Sequence, residues 1–344
     1  MNTDHGTPTS PTDQARADQV RADQAPTDQA PTDQTPAGRT HIARPHADRT
    51  HAARPRTDRT HLTRAFHALH HADEPLLLPN AWDAASAAAL AAAGFAAIGT
   101  TSLGVAAALG EPDGQGSATV RDATVAFARR LGDRLTCPFT VDIEGGFGGG
   151  PEEVGALARE LAAAGASGVN LEDGLPGRTG DGPLVAAGQQ AELIRAVKEH
   201  APELYVNARV DTHWLVDDPA TRPLDETLAR AETYLAAGAD GIFVPGVTDE
   251  RALATLVAGI PAPLNVLYAP GRHRLARLAE LGVRRVSTGS LLFRSALHAA
   301  VTLAESVRAD GVGGAVGTAG GDGAAGGPDL AGVPGYGEVQ RLAE

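Results

Sequence analysis

Eight short apolar runs alternate with helical segments between residues 62 and 310, and this alternation limits the fold more than any other feature of the chain. The runs are LLLPN (76–80), FAAIGT (95–100), FTVD (139–142), GVNLE (168–172), LYVNAR (204–209), GIFVP (241–245), LNVL (264–267) and RVSTG (285–289). Ala-rich stretches such as SAAALAAAG, PEEVGALARELAAAG and PLDETLARAETYLAAG separate them. Most of these stretches end at Gly, the residue that closes a helix most cheaply. Strands joined by helices pair in parallel, and eight such units in roughly 250 residues describe an α/β fold of the (β/α)8 TIM-barrel type. A doubly wound sheet is the alternative, but no GxGxxG follows the first run.

The flanks read differently. Residues 1–60 repeat TDQ or ADQ with a period of five, then RTHIARPHAD-like units with a period of ten. Neither pattern can bury an apolar face, so a disordered low-complexity tail is expected. Eight of the 12 histidines lie before residue 72. A spacer is the plainer reading of them, and a histidine-rich metal tract the other. Residues 61–310 form the catalytic domain, and 311–344 read as a Gly-rich linker with a short C-terminal helix.

Charge and cysteine content exclude several classes of function. The net charge of −13 argues against a nucleic-acid binder. No apolar run approaches the roughly 20 residues that span a bilayer, and the N-terminus lacks the apolar segment of a secretory signal. With Cys137 as the single cysteine, a disulfide framework and a cysteine-rich zinc site are out, and a cytoplasmic protein is expected. Lys198, the one lysine, sits late in a surface helix and is a poor Schiff-base nucleophile.

In a barrel the chemistry lies at the C-terminal ends of the strands. The polar residues there are mostly acidic. Asp142 and Glu144 follow one strand and Glu172 ends the next, while Asp113 lies in the loop after the second strand. Asp142 and Glu144 are two apart, which would place them on one face. Gathered carboxylates need a cation, and an oxygen-only set without histidine suits Mg2+ or Mn2+. Helix caps or solvated loop carboxylates are the alternative. Arg209 in NARVD fits a substrate carboxylate bidentately. Backbone N–H groups of the GTTS turn at Thr101 and Ser102 offer a second anion site, and the STGS turn at 287–290 either a phosphate site or a helix cap. The seventh strand offers Asn265. His213 and Trp214 are candidates to shape the pocket or simply to pack.

These segments together resemble the isocitrate lyase / phosphoenolpyruvate mutase superfamily. LPNAWDAASA, IGTTSLGVAAALGEPDG, VDIEGGFG, GVNLEDG, VNARVD, GADGIFVPG, PLNVL and GVRRVSTGSLLFRSAL occur in the family's order across residues 62–300. VDIEGGFG is similar to the family's DxDxGYG metal motif, with Glu144 at its second acidic position. GVNLEDG is similar to the IED motif, making Glu172 a metal ligand. Asp113 falls where the family has a carboxylate contacting metal-bound water. Arg209 matches the substrate-carboxylate arginine, and Thr101, Ser102 and Leu103 match the turn that receives the substrate. The resemblance implies a phosphoenolpyruvate mutase-like barrel, a small carboxylic acid substrate, an enolate stabilised by Mg2+, and a homodimer or homotetramer built on its last helix.

The departures narrow the activity. Isocitrate and methylisocitrate lyases carry a KKCGH loop whose cysteine is the general acid. Here the stretch reads EDGLPGRTGDGPL, and Cys137 precedes the third strand, at the opposite end of the barrel. Phosphonopyruvate enzymes use a lysine and an asparagine in that loop. Arg178 keeps the charge but Gly180 stands near the asparagine position. The expectation is a carbon–carbon lyase or decarboxylase on a small 2-oxo or 2-hydroxy di- or tricarboxylic acid, with Asp113, Arg209 and Arg178 as catalytic groups. The alternatives are P–C chemistry on phosphonopyruvate, and a non-catalytic acid-binding barrel.

Overall fold

The computed structural model describes residues 59–175, 183–215 and 224–312, together with Pro334, Val339 and Leu342. Nine short strands form one parallel sheet in the order β1-β9-β8-β7-β6-β5-β4-β3-β2. The strands are β1 (76–78), β2 (80–81), β3 (98–100), β4 (139–142), β5 (168–172), β6 (205–209), β7 (241–244), β8 (264–267) and β9 (285–287). β1 and β2 are one run broken at Pro79, which has no N–H to donate. β1 pairs with β9 while β2 pairs with β3, so this first run joins the two ends of the sheet and eight runs make the barrel. All eight expected strands are present.

Among residues 59–312 as described, ten α-helices accompany the strands: α1 (60–69), α2 (84–92), α3 (102–108), α4 (118–134), α5 (151–163), α6 (187–200), α7 (224–236), α8 (250–259), α9 (275–281) and α10 (291–312). Their apolar faces and the strands bury a core of small aliphatic residues, including Val141, Ile143, Leu157, Leu161, Val169, Leu171, Ile194 and Val206. With few aromatics, close backbone approach does much of the packing. Gly132 on α4 shows this: a Cβ there would stand 1.8 Å from the Ala164 carbonyl oxygen.

α1 closes the bottom of the barrel. Phe66 and His70 pack against Tyr205 at the start of β6, the His70 ring stacking on it at 4.0 Å. Arg59 ties the entry to α1 to the body by donating to the carbonyls of Gly132, Leu135 and Cys137 at 2.8–3.3 Å. The rest of the 1–60 tail lies outside the described residues, as does most of 311–344. No described helix is long and apolar enough to cross a membrane. Lys198 pairs with Asp240 at 3.0 Å on the helical exterior.

Candidate active site

An open cavity lies at the C-terminal ends of the strands. Thr101, Ser102, Leu103, Asp113, Asp142 and Arg209 all line it, as do Asn80, Asn170, Trp214, Phe243, Tyr268 and Arg294. Seven residues singled out from sequence, Trp214 among them, therefore meet in one place, as does the STGS turn. Arg178 lies outside the described residues.

β4 delivers Asp142. Its N–H donates to Thr100 Oγ1 at 2.9 Å, and its carboxylate accepts from the Ser102 N–H at 3.3 Å. The strand ends there, so the face-sharing argument for Asp142 and Glu144 does not hold. Glu144 instead adopts φ +50°, a left-handed conformation that is costly for a side chain with a Cβ. The bend buries its carboxylate, which accepts from the Gly116 N–H at 3.3 Å. Phe147 repeats the same unusual φ, and Gly146 and Gly148 take the remaining positive values in the loop. The sequence IEGGFGGG thus makes a tight coil that a strand could not. Glu144 lies behind the cavity wall, close enough to Asp113 and Asp142 to feel their charge.

Arg209 is not a free anchor. Its Nη1 pairs with Glu172 and its Nε donates to Asp211 Oδ1 at 2.6 Å. Burial works against its charge, and Asp211 and Glu172 overcome that and push its pKa up. Its guanidinium lies 5.7 Å from the Phe243 ring centroid and 6.0 Å from that of Trp214. Asp211 is held in turn by Asp173, whose Oδ1 accepts the Asp211 N–H at 2.8 Å. The other oxygen of Asp173 accepts from Tyr234 at 2.7 Å and Arg230 at 3.2 Å. Arg230 also donates to the Val185 carbonyl at 2.9 Å. This chain of contacts runs from α7 to the cavity wall.

The two anion-binding turns are more committed than their sequences suggest. The Thr101 N–H donates to the Ala81 carbonyl at 3.1 Å, leaving Ser102 and Leu103 facing the cavity with Ser102 already on Asp142. At the STGS turn the N–H groups of Thr288 and Gly289 both donate to Asn80 Oδ1, at 3.0 and 2.9 Å. This turn closes the barrel by joining the first and last strands, and all four of its residues line the cavity. Asn265 is also displaced from its expected role. It is buried, accepts from Ser287 Oγ at 3.1 Å and does not line the cavity. Trp214 lines the cavity at its mouth, whereas His213 is buried against Thr212 and Thr227.

Electrostatics mark the acidic end. Burial raises Asp113, and Asp142 adds to the effect. Burial, then Asp113 and Asp142, push Glu144 up to about 7 despite the Gly116 N–H. Burial also pushes Glu172 upward, with Arg209 opposing and Asp211, Asp142 and Asp113 reinforcing. Asp211 rises to about 6, again chiefly by burial. Among the described residues no three acidic, histidine or cysteine side chains converge closely enough to enclose a metal ion. The donor set nevertheless fits a hard divalent ion that keeps several waters and uses one or two carboxylates directly. Asp113 Oδ1 is buried without a hydrogen-bond partner, and a cation would relieve the mutual repulsion just described.

Sequence reading missed Asn170, Phe243, Tyr268 and Arg294 as cavity residues. Asn170 was within reach: it stands two residues before Glu172 on the same strand, a period that repeats the facing direction.

An uncharacterized protein of Mycobacterium tuberculosis is 45% identical over 243 residues, covering 71% of this chain and 88% of that one. The 2-methylisocitrate lyase of Bacillus subtilis is 33% identical over 226 residues, covering 64% and 68%. A Burkholderia cenocepacia crystal structure assigned as a phosphonomutase superposes with a TM-score of 0.66 at 36% identity, covering 72% of this chain and 98% of that one. The family model described as phosphoenolpyruvate phosphomutase matches residues 66–308, and the chain belongs to that family.

Proposed function

We propose that this protein is a divalent-metal-dependent carbon–carbon lyase or decarboxylase acting on a small 2-oxo or 2-hydroxy di- or tricarboxylic acid. The observation that carries the reading is one cavity at the strand ends that joins an acidic wall, Asp113 and Asp142, to Arg209 and the 101–103 turn. Asp113 and Asp142, with Glu144 and Glu172 behind them, would hold Mg2+ or Mn2+. When bound, the ion supplies Lewis-acid polarisation of the substrate's carboxylate and keto oxygens. The chain's own groups do the rest. Arg209, fixed by Glu172 and Asp211, presents a preorganised positive charge where an enolate oxygen develops. The Ser102 and Leu103 backbone orients the carboxylate. Trp214 and Phe243 supply apolar wall that limits water. Arg178 stays a candidate catalytic group that keeps a positive charge in the loop after β5, where the chain lacks the cysteine.

Similarity to the Bacillus subtilis lyase supports the carbon–carbon reading. The Burkholderia likeness favours a second reading, P–C chemistry on phosphonopyruvate. A homo-oligomer belongs to the same proposal, since α10 leaves Leu297 and Val301 more than half exposed.

The test is product release with Mg2+ from oxaloacetate, methylisocitrate, isocitrate and phosphonopyruvate, with Asp142→Asn as the background. Pyruvate from oxaloacetate or methylisocitrate, or glyoxylate from isocitrate, lost in the variant, supports the lyase. Turnover of phosphonopyruvate alone moves the chemistry to the P–C bond. No turnover, with Mg2+ still bound, leaves a barrel that only binds.

A further inference from the structure

A fully buried arginine without a carboxylate partner lies under the cavity. Arg285 on β9 is 0% exposed, and Asn265 and Leu76 are its register neighbours. Its Nε donates to Ser287 Oγ at 3.1 Å, and its Nη2 reaches across the barrel to Asn170 Oδ1 at 3.1 Å. Its Nη1 is buried with no hydrogen-bond partner. Burying such a charge is expensive, and an apolar side chain would fill the space at less cost. Packing alone therefore does not account for it.

The consequence falls on Asn170. A guanidinium has donors only, so the amide atom facing Arg285 is the oxygen. Asn207 Nδ2 donates to the same oxygen at 2.9 Å. Two donors on Oδ1 lock the amide and turn Nδ2 the other way. No acceptor among the described residues takes up Nδ2, and the side chain lines the cavity beside its register partner Asp142. The result is a preoriented neutral donor within an acidic wall, where every neighbouring carboxylate can only accept.

We infer that Asn170 is a substrate-binding residue that donates from Nδ2 to an oxygen of the bound acid, and that Arg285 is the positioning residue that orients it. The inference rests on the acid-binding site proposed above and adds a donor that the metal and Arg209 do not supply. Ser287 and Asn265 extend the support, since Ser287 Oγ accepts from Arg285 and donates to Asn265.

The probe is oxalate, a planar two-carbon dianion with the oxygen arrangement of the pyruvate enolate, titrated calorimetrically into the full chain with Mg2+ present. Asn170→Asp keeps the shape and gives Arg285 a counter-charge, so its Tm is expected to equal or exceed the wild-type value. It has no donor, and its oxalate Kd is expected to rise at least tenfold with Mg2+ binding retained. Asn170→Ala separates charge from donor: it is neutral, has no side-chain donor, and is expected to lose about as much. It carries the test if the Asp variant fails to fold. Arg285→Met frees the amide and is expected to weaken oxalate several-fold without changing Mg2+ affinity. Oxalate binding within twofold of wild type in the folded Asn170 variants overturns the inference alone. No oxalate binding by the wild-type chain overturns the acid-site reading together with it.

Discussion

Glu144→Gln tests how the acidic wall trades stability for cation binding. The Glu144 carboxyl ordinarily titrates near 4.5 and is pushed up to about 7 by burial and by Asp113 and Asp142. At roughly 1.4 kcal/mol per pH unit, the ionised form is disfavoured in the folded chain by about 3 kcal/mol. The fold prefers the neutral acid, so the contribution is absent below the unfolded value of 4.5. It grows more unfavourable as pH rises to about 7 and is level above that. Without divalent ions, the wild-type chain is expected to lose about 3 kcal/mol from this group between pH 4.5 and 8. Glutamine still accepts from the Gly116 N–H and tolerates φ +50° no worse than glutamate. The variant should match wild type near pH 4.5 and exceed it by about 3 kcal/mol at pH 8 in EDTA. Saturating Mg2+ should remove most of the gap, because the cation stabilises the ionised wall of the wild type and binds the variant less. Urea unfolding across this pH range, in EDTA and in Mg2+, reads both effects. A stability difference that stays constant with pH would refute the account of Glu144.

Three further outcomes follow from the packing. Gly132→Ala drives a Cβ into the Ala164 carbonyl with backbone on both sides, and thermal unfolding should show a loss of about 3 kcal/mol. Arg59→Ala removes three donors to carbonyls at the α4–β4 connection and should cost about 2 kcal/mol in urea unfolding, with hydrogen exchange rising first in α1. Asp173→Asn leaves Arg230 without its buried counter-charge and should cost about 3 kcal/mol. Its effect on catalysis should exceed that of Arg59→Ala, because only Asp173 holds the Asp211–Arg209 pair, and kcat/KM compared at matched folded fraction separates the two.

The barrel was legible because its signal is local and repeated. Each strand is a short apolar run and each helix an amphipathic stretch closed by Gly, so period and punctuation suffice. The acidic wall was legible for a related reason: in a parallel barrel every strand end faces the same way, which places Asp142 and Arg209 together once the strands are known. Sequence spacing failed where the chain leaves the strand. The Asp142–Glu144 pair suggested a shared face, but the coil at Glu144, with φ +50°, replaced alternation by a turn. It also failed where partners lie far apart in the chain. STGS presents free N–H groups in sequence, yet Asn80, 208 and 209 residues away, occupies them.

What this sequence determined by itself is the number and order of strands, the end of the barrel that carries the cavity, and the acidic, oxygen-only character of that end. Those follow from hydrophobic period and residue type, which are properties of neighbours along the chain. Which polar groups are spent and which stay available was decided only by the tertiary structure. Arg209 is shared by Glu172 and Asp211, Asn265 is turned into the interior, and Asn170 is locked with its donor outward by an arginine 115 residues away. A hydrogen bond depends on two partners meeting at about 3 Å, and across a closed barrel that meeting is set by strand register and curvature.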